Sequence, residues 1–135
     1  MSQPPLVAIV NDDKAIIAML VDLLADEGYA AFSCFSGAEA HEAIQRKKPD
    51  LVILDMQMEQ LDSGLIVLEL IRLDPTTEQI PVIMCSADGQ FLREKKDQLQ
   101  AHRCDVLEKP YTLSELLTLM AKWLDPPLTT RSATT

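Results

Sequence analysis

The sequence predicts an α/β domain, a three-layer sandwich with helices on both faces of one parallel sheet, and three observations carry that expectation. Leu6-Val7-Ala8-Ile9-Val10 and Leu51-Val52-Ile53-Leu54 are apolar runs without alternation, the pattern of strands covered on both faces. Segments with apolar residues at helical spacing separate the strand-like runs throughout, which implies βαβ units with right-handed crossovers. The chain has 135 residues, the size of one ordinary domain able to close a core without disulfides or metal.

After a Pro-containing lead, the strand Leu6 to Val10 runs into Asn11-Asp12-Asp13-Lys14. Ala15 to Glu27 then places Ile16, Ile17, Leu20, Leu23 and Leu24 at helical spacing, and Gly28 stops it. Ala30 to Phe35 is a weaker strand. Ser36 with Glu39 forms a capping-box pattern for a helix that ends on Arg46-Lys47-Lys48 before Pro49. The central strand follows and ends on Asp55. The loop from Met56 to Gly64 opens a helix through Leu65, Val67, Leu68, Ile71 and Leu73, closed by Asp74-Pro75. Ile80 to Cys85 is the next strand, ending on Ser86. The helix from Gly89 to Gln100 has Phe91, Leu92 and Leu99 as its only large apolar anchors, so it reads as loosely held. Cys104 to Leu107 is the last strand, before Glu108-Lys109-Pro110. The last helix carries a stripe of Leu113, Leu116, Leu117, Met120 and Leu124, with Ser114 or Thr112 as cap. Residues 6–124 are thus one folded domain, and 125–135 read as a flexible tail or linker.

Composition narrows the function. The net charge is −9 with a pI near 4.5, which disfavours direct binding to nucleic acid or an anionic membrane. Cys34, Cys85 and Cys104 are odd in number and lack C-x-x-C spacing, which favours free thiols in a reducing cytoplasm. No apolar run reaches membrane-spanning length. The Met residues read as core filler, and His41 and His102 as surface residues without a carboxylate partner at ligand spacing.

The ends of the predicted strands share one edge in a parallel sheet, the edge where such sheets bind ligands. They carry Asp12 and Asp13, Asp55, Ser86 and Lys109. Three carboxylates this close repel one another and favour a neutralising cation. An oxygen-only set suits a hard divalent ion, Mg²⁺ above all. A lysine and a hydroxyl beside it complete a cradle for a phosphoryl group, with Asp55 as the nucleophile. Each residue alone has a plainer role: Asp12 or Asp13 as a helix N-cap, Asp55 as a loop cap, Ser86 as a polar strand end, Lys109 as a solvated cation.

With an acidic pair after the first strand, L-V-I-L-D at the third, C-S-A at the fourth and E-K-P-Y at the fifth, the chain resembles the receiver domains of two-component response regulators from Leu6 to about Leu124. That resemblance implies a flavodoxin-like fold with strand order 2-1-3-4-5, and phosphotransfer to Asp55 from a histidine kinase or phosphotransfer protein. It implies Mg²⁺ held by Asp12, Asp13, Asp55 and the Gln57 backbone carbonyl, Ser86 and Lys109 on the phosphoryl oxygens, and a cis Lys109-Pro110 peptide. Because the fourth helix is the least anchored and Lys109 and Val106 connect it to the site, the face for a downstream partner or effector domain is expected on the fourth helix, fifth strand and fifth helix, with phosphorylation-dependent homodimers as an option. The chain departs from the family at Glu59, where Pro is usual, at Gly64, one residue late, and at Val106, where a Tyr or Phe switch is common. Tyr111 reads as a packing aromatic, and Trp123 as packing the last helix or beginning a partner face.

Two other readings compete. A degenerate receiver would act only as a protein-interaction module, as the altered loop and Val106 suggest. A flavodoxin-type or phosphatase enzyme would need phosphate-loop donors after the first strand or a D-x-D, and Asp12-Asp13 and Asp55-Met56-Gln57 supply neither.

Overall fold

In the structure, a computed structural model, residues 3–56 and 63–124 are described. Ten elements alternate: β1 (Leu6–Val10), α1 (Lys14–Asp26), β2 (Ala30–Cys34), α2 (Gly37–Lys47), β3 (Leu51–Asp55), α3 (Ser63–Leu73), β4 (Val82–Ser86), α4 (Gly89–Ala101), β5 (Cys104–Glu108) and α5 (Leu113–Trp123). The strands form one parallel sheet in the order β2-β1-β3-β4-β5, the flavodoxin-like order expected. Gln57, Glu59 and the tail 125–135 lie outside the described residues.

Alternation along each strand divides the core in two. Val7, Ile9, Leu51, Ile53, Ile83, Cys85 and Leu107 pack against α1 and α5 through Ile17, Leu20, Leu24, Leu116 and Met120. Ala8, Val10, Val52, Leu54, Val82, Met84 and Cys104 pack against α2, α3 and α4 through Ala40, Ile44, Val67, Leu68, Ile71, Leu92 and Leu99. β3 and β4 are buried at every position, which is why their sequences lack alternation.

The element ends follow from local chemistry. Ser36, Asp88 and Thr112 cap α2, α4 and α5 through bonds to the N–H groups of Glu39, Phe91 and Glu115, and Thr112 with Glu115 closes a capping box. α2 ends on Lys48 in the left-handed region, φ 49°, directly before Pro49. β4 starts at Val82 rather than Ile80, because the Ile80 N–H is spent on the Thr77 carbonyl in the preceding turn.

Three expectations need correction. Met56, Met84 and Met120 are core residues, but Met19 is 54% exposed on α1. His41 has a carboxylate partner after all: its Nε2 lies 3.3 Å from Asp74 Oδ2 across the α2–α3 layer. The small apolar area of α4 is supplemented by polar ties at its C-terminal end. Arg72 of α3 donates to the carbonyls of His102 (2.6 Å) and Arg103 (3.1 Å), and Gln100 donates to Asp105 of β5 (3.2 Å).

Candidate phosphoacceptor site

Lys109 Nζ lies 3.0 Å from Asp55 Oδ2, joining residues 54 apart in sequence. Asp55 is 6% exposed, so its carboxylate sits in a poorly solvated place where a cation is worth more than at the surface. The sheet creates this meeting. Asp55 ends the central strand, and the Lys109 N–H is fixed to the Ser86 carbonyl at 2.8 Å, the last bond of the β4–β5 edge. Lys109-Pro110 is cis, as expected.

Both residues line a cavity of about 380 Å³ that runs between α1 and the start of α5. Asn11, Cys85 and Tyr111 share it, with Ile16 and Leu20 on the apolar side. Tyr111 packs against the α1/α5 core as expected. Burial is the main cause that raises its hydroxyl above the ordinary range, with Cys85 and Asp55 adding to it. Burial likewise pushes the Cys85 thiol up to about 12, so it stands in the cavity wall as a neutral thiol.

Ser86 is 1% exposed, and its Oγ accepts from the Asp88 N–H at 3.0 Å. The hydroxyl therefore holds the entry to α4, with Asp88 in turn capping that helix. Val106 is half-buried and packs against the α4-side core, two residues below Glu108 on the same face of β5.

The acidic pair behaves differently from the sequence expectation. Asp13 is the N-cap of α1, its Oδ1 accepting from Ala15 N (3.0 Å) and Ile16 N (3.2 Å). Among the described residues no three His, Cys, Asp or Glu side chains gather closely enough to hold a metal. The trio Asp12, Asp13 and Asp55 is thus not assembled. Capping is the physical reason, since the first turn of α1 has unpaired N–H groups and Asp13 is the nearest carboxylate. Asp12 is exposed in the loop. The residue missed from sequence is Asn11, which is 7% exposed and lies in the cavity with Asp55. Its signal was its place directly after the buried strand, one residue before the acids.

Gly64 sits against the backbone that follows Asp55. A Cβ there would stand 2.6 Å from the Asp55 carbonyl and hard against the Met56 backbone, and the Gly64 N–H donates to the Met56 carbonyl at 2.9 Å. α3 therefore enters directly against the chain that leaves Asp55, an approach only glycine allows.

Comparison with known proteins agrees with this architecture. Residues 7–121 match the family model described as response regulator receiver domain. The phosphate regulon transcriptional regulatory protein PhoB of Rhizobium meliloti is 33% identical over 84% of the chain and 49% of its own length. Response regulator MprA of Mycobacterium leprae is 35% identical over 80% of the chain and 46% of its own. The chain spans about half the length of the curated relatives it matches. Among solved structures, the chemotaxis response regulator CheY4 of Vibrio cholerae superposes with a TM-score of 0.79 at 25% identity, covering 90% of this chain and all of that one (100%). The receiver domain of a Pseudomonas aeruginosa PAO1 sensor histidine kinase, solved with magnesium coordinated in its active-site cleft, gives 0.77 at 26% identity over 89% of this chain and 97% of that one.

Proposed function

Because the chain belongs to the response regulator receiver domain family, we propose that it is a phosphoacceptor, taking a phosphoryl group from a phosphohistidine of a kinase or phosphotransfer protein onto Asp55. The observation that carries this reading is the Asp55–Lys109 pair, 3.0 Å apart and opening on a cavity. An Asp55 oxygen attacks phosphorus, the P–N bond breaks, and the imidazole leaves with a proton from solvent. Lys109 then follows the negative charge onto the phosphoryl oxygens. Ser86 turns its hydroxyl from the Asp88 N–H to the same oxygens, freeing the first turn of α4.

The donor set is oxygen and amide only, which suits a hard ion. Asp12, Asp55 and the Gln57 backbone carbonyl would hold Mg²⁺, which supplies charge neutralisation for the transferring phosphoryl group. Asp13 is reassigned to the helix cap. α4, β5 and α5 form the output face, reached through Ser86 and, with Val106 in place of a ring, through the β5 backbone rather than an aromatic rotation. The partner there is a downstream protein or an effector domain, or a second phosphorylated copy. The histidine kinase and the effector are protein partners, in keeping with a net charge of −9. Among the described residues no helix is long and apolar enough to cross a membrane.

The test is incubation with acetyl phosphate and Mg²⁺, followed by intact-mass measurement. A gain of one phosphoryl group, lost in Asp55→Asn, is expected. No gain in the wild type overturns the proposal in favour of a receiver that acts only as an interaction module.

A further inference from the structure

The two acids after β1 leave the innermost position to a neutral residue. Val10 pairs with Leu54 across the β1–β3 ladder, so Asn11 and Asp55, each one residue further on, stand level on neighbouring strands. Ile9 and Ile53 both point into the α1/α5 layer. Asn11 and Asp55, each two residues on, point the same way, and both line the cavity. Asn11 Oδ1 accepts from the Asp13 N–H at 2.9 Å. A carboxamide whose oxygen is committed presents its NH₂ group in the other direction, as a donor without charge.

We propose that Asn11 makes this a weakened divalent-cation site, occupying the inner place where a carboxylate would add to the charge of Asp12 and Asp55, and offering N–H donors to the anionic oxygens at Asp55 instead. This deepens the phosphoacceptor reading and rests on it. In the resting protein the Asp55 charge is already balanced by Lys109 at 3.0 Å. An incoming cation must compete with that lysine without Asp13, whose carboxylate is held at the helix start. Affinity for a hard cation falls with each anionic ligand removed. Asn11 therefore ties the readiness of the site to the free magnesium level. Asn11→Asp has nearly the same shape, keeps an acceptor for the Asp13 N–H and adds one negative charge beside Asp55.

The experiment is calorimetric titration of Mg²⁺ into the wild-type chain, Asn11→Asp and Asp13→Asn, with circular dichroism to check folding. Asn11→Asp is expected to bind Mg²⁺ at least about tenfold more tightly. Asp13→Asn is expected to stay within about twofold of wild type, its change confined to the capping of α1. A folded Asn11→Asp with unchanged or weaker binding overturns the proposal, as does a tenfold loss in Asp13→Asn. Acetyl phosphate labelling of Asp55 at saturating Mg²⁺ separates the two readings. Labelling with no tightening in Asn11→Asp sinks the role of Asn11 alone. Tightening without labelling sinks the phosphoacceptor reading and leaves the charge-setting role of Asn11 standing.

Discussion

Replacing Asp105 by Ala removes the centre of the polar tie between α4, β5 and α5. Asp105 is 3% exposed, and its carboxylate accepts from Trp123 Nε1 (2.7 Å), Gln100 Nε2 (3.2 Å) and Lys122 Nζ (3.1 Å to the nearer oxygen). A hydrogen bond to a charged group is worth about 1.5–3 kcal/mol, and this applies most fully to the indole. The Lys122 side chain is 53% exposed, so its pairing is screened and contributes about 0–1 kcal/mol. The sum, allowing for non-additivity, is a loss of about 2–4 kcal/mol, or about 8–15 °C in melting temperature for a domain of this size.

The pH dependence has a definite sign. Burial alone would raise the Asp105 carboxyl, but hydrogen bonds from Lys122, Trp123 and Gln100, with the Lys122 charge, hold it below its ordinary value. A carboxyl held low in the folded state contributes stability above its unfolded pKa of about 3.9 and loses that contribution as pH falls through the folded value. The gap between wild type and Asp105→Ala should therefore be flat from pH 7 to about 5 and narrow below about pH 4. Urea unfolding followed by Trp123 emission measures it, since this is the single tryptophan of the chain and its N–H reports the lost bond. A variant within about 0.5 kcal/mol of wild type at pH 7, or a gap that widens in acid, refutes the reasoning.

The two glycines with crowded Cβ positions should respond to different degrees. Gly64→Ala meets backbone atoms of Asp55 and Met56, which cannot move aside, so a loss of about 2 kcal/mol or more and impaired Asp55 labelling are expected from denaturation and mass measurements. For Gly89→Ala the three nearest atoms all belong to the Glu108 carboxylate, a side chain paired with Arg93 at 3.5 Å near the surface and able to swing aside. Its unfolding midpoint should stay close to wild type. Ser86→Ala removes the acceptor for the Asp88 N–H and is expected to cost about 0.5–1.5 kcal/mol. Under the proposed function it also leaves Asp55 labelled but shrinks the phosphorylation-dependent amide shifts in α4, as read by NMR. Burial is the main cause that pushes Cys34 up to about 11 and Cys85 and Cys104 up to about 12. At pH 8 the thiolate fraction is then about one in a thousand or less, so iodoacetamide should label the native protein at least about a hundredfold more slowly than the urea-unfolded chain.

The backbone plan was readable because the sheet is covered on both sides. Apolar runs such as Leu51 to Leu54 have no reading other than a buried strand once helical stripes flank them. The meeting of Asp55 with Lys109 followed from topology, since strand ends in a parallel sheet share an edge whatever their distance along the chain. What stayed hidden depended on single side-chain choices. Asp12, Asp13 and Asn11 are adjacent polar residues, and only the phase of α1 decides which of them caps it and which faces Asp55. Asp105 sits in a strand as an acid among apolar residues, and its partners Lys122 and Trp123 lie on a later helix where spacing gives no hint of contact. His41 and Asp74 met for the same reason, on elements that no local pattern links.

The grip of Arg72 on the carbonyls of His102 and Arg103 fixes the C-terminal end of α4. Arg103 itself holds a left-handed backbone, φ 58°, and Gln100 is tethered to β5, so the far end of the rod is bolted in place. The end at Asp88 is seated by the Ser86 hydroxyl on the Asp88 N–H and by Phe91 and Leu92 packed in the core. The two ends of α4, some twenty ångströms apart for a thirteen-residue helix, are therefore anchored by different chemistry, backbone carbonyls gripped by a guanidinium at one and a hydroxyl with apolar packing at the other.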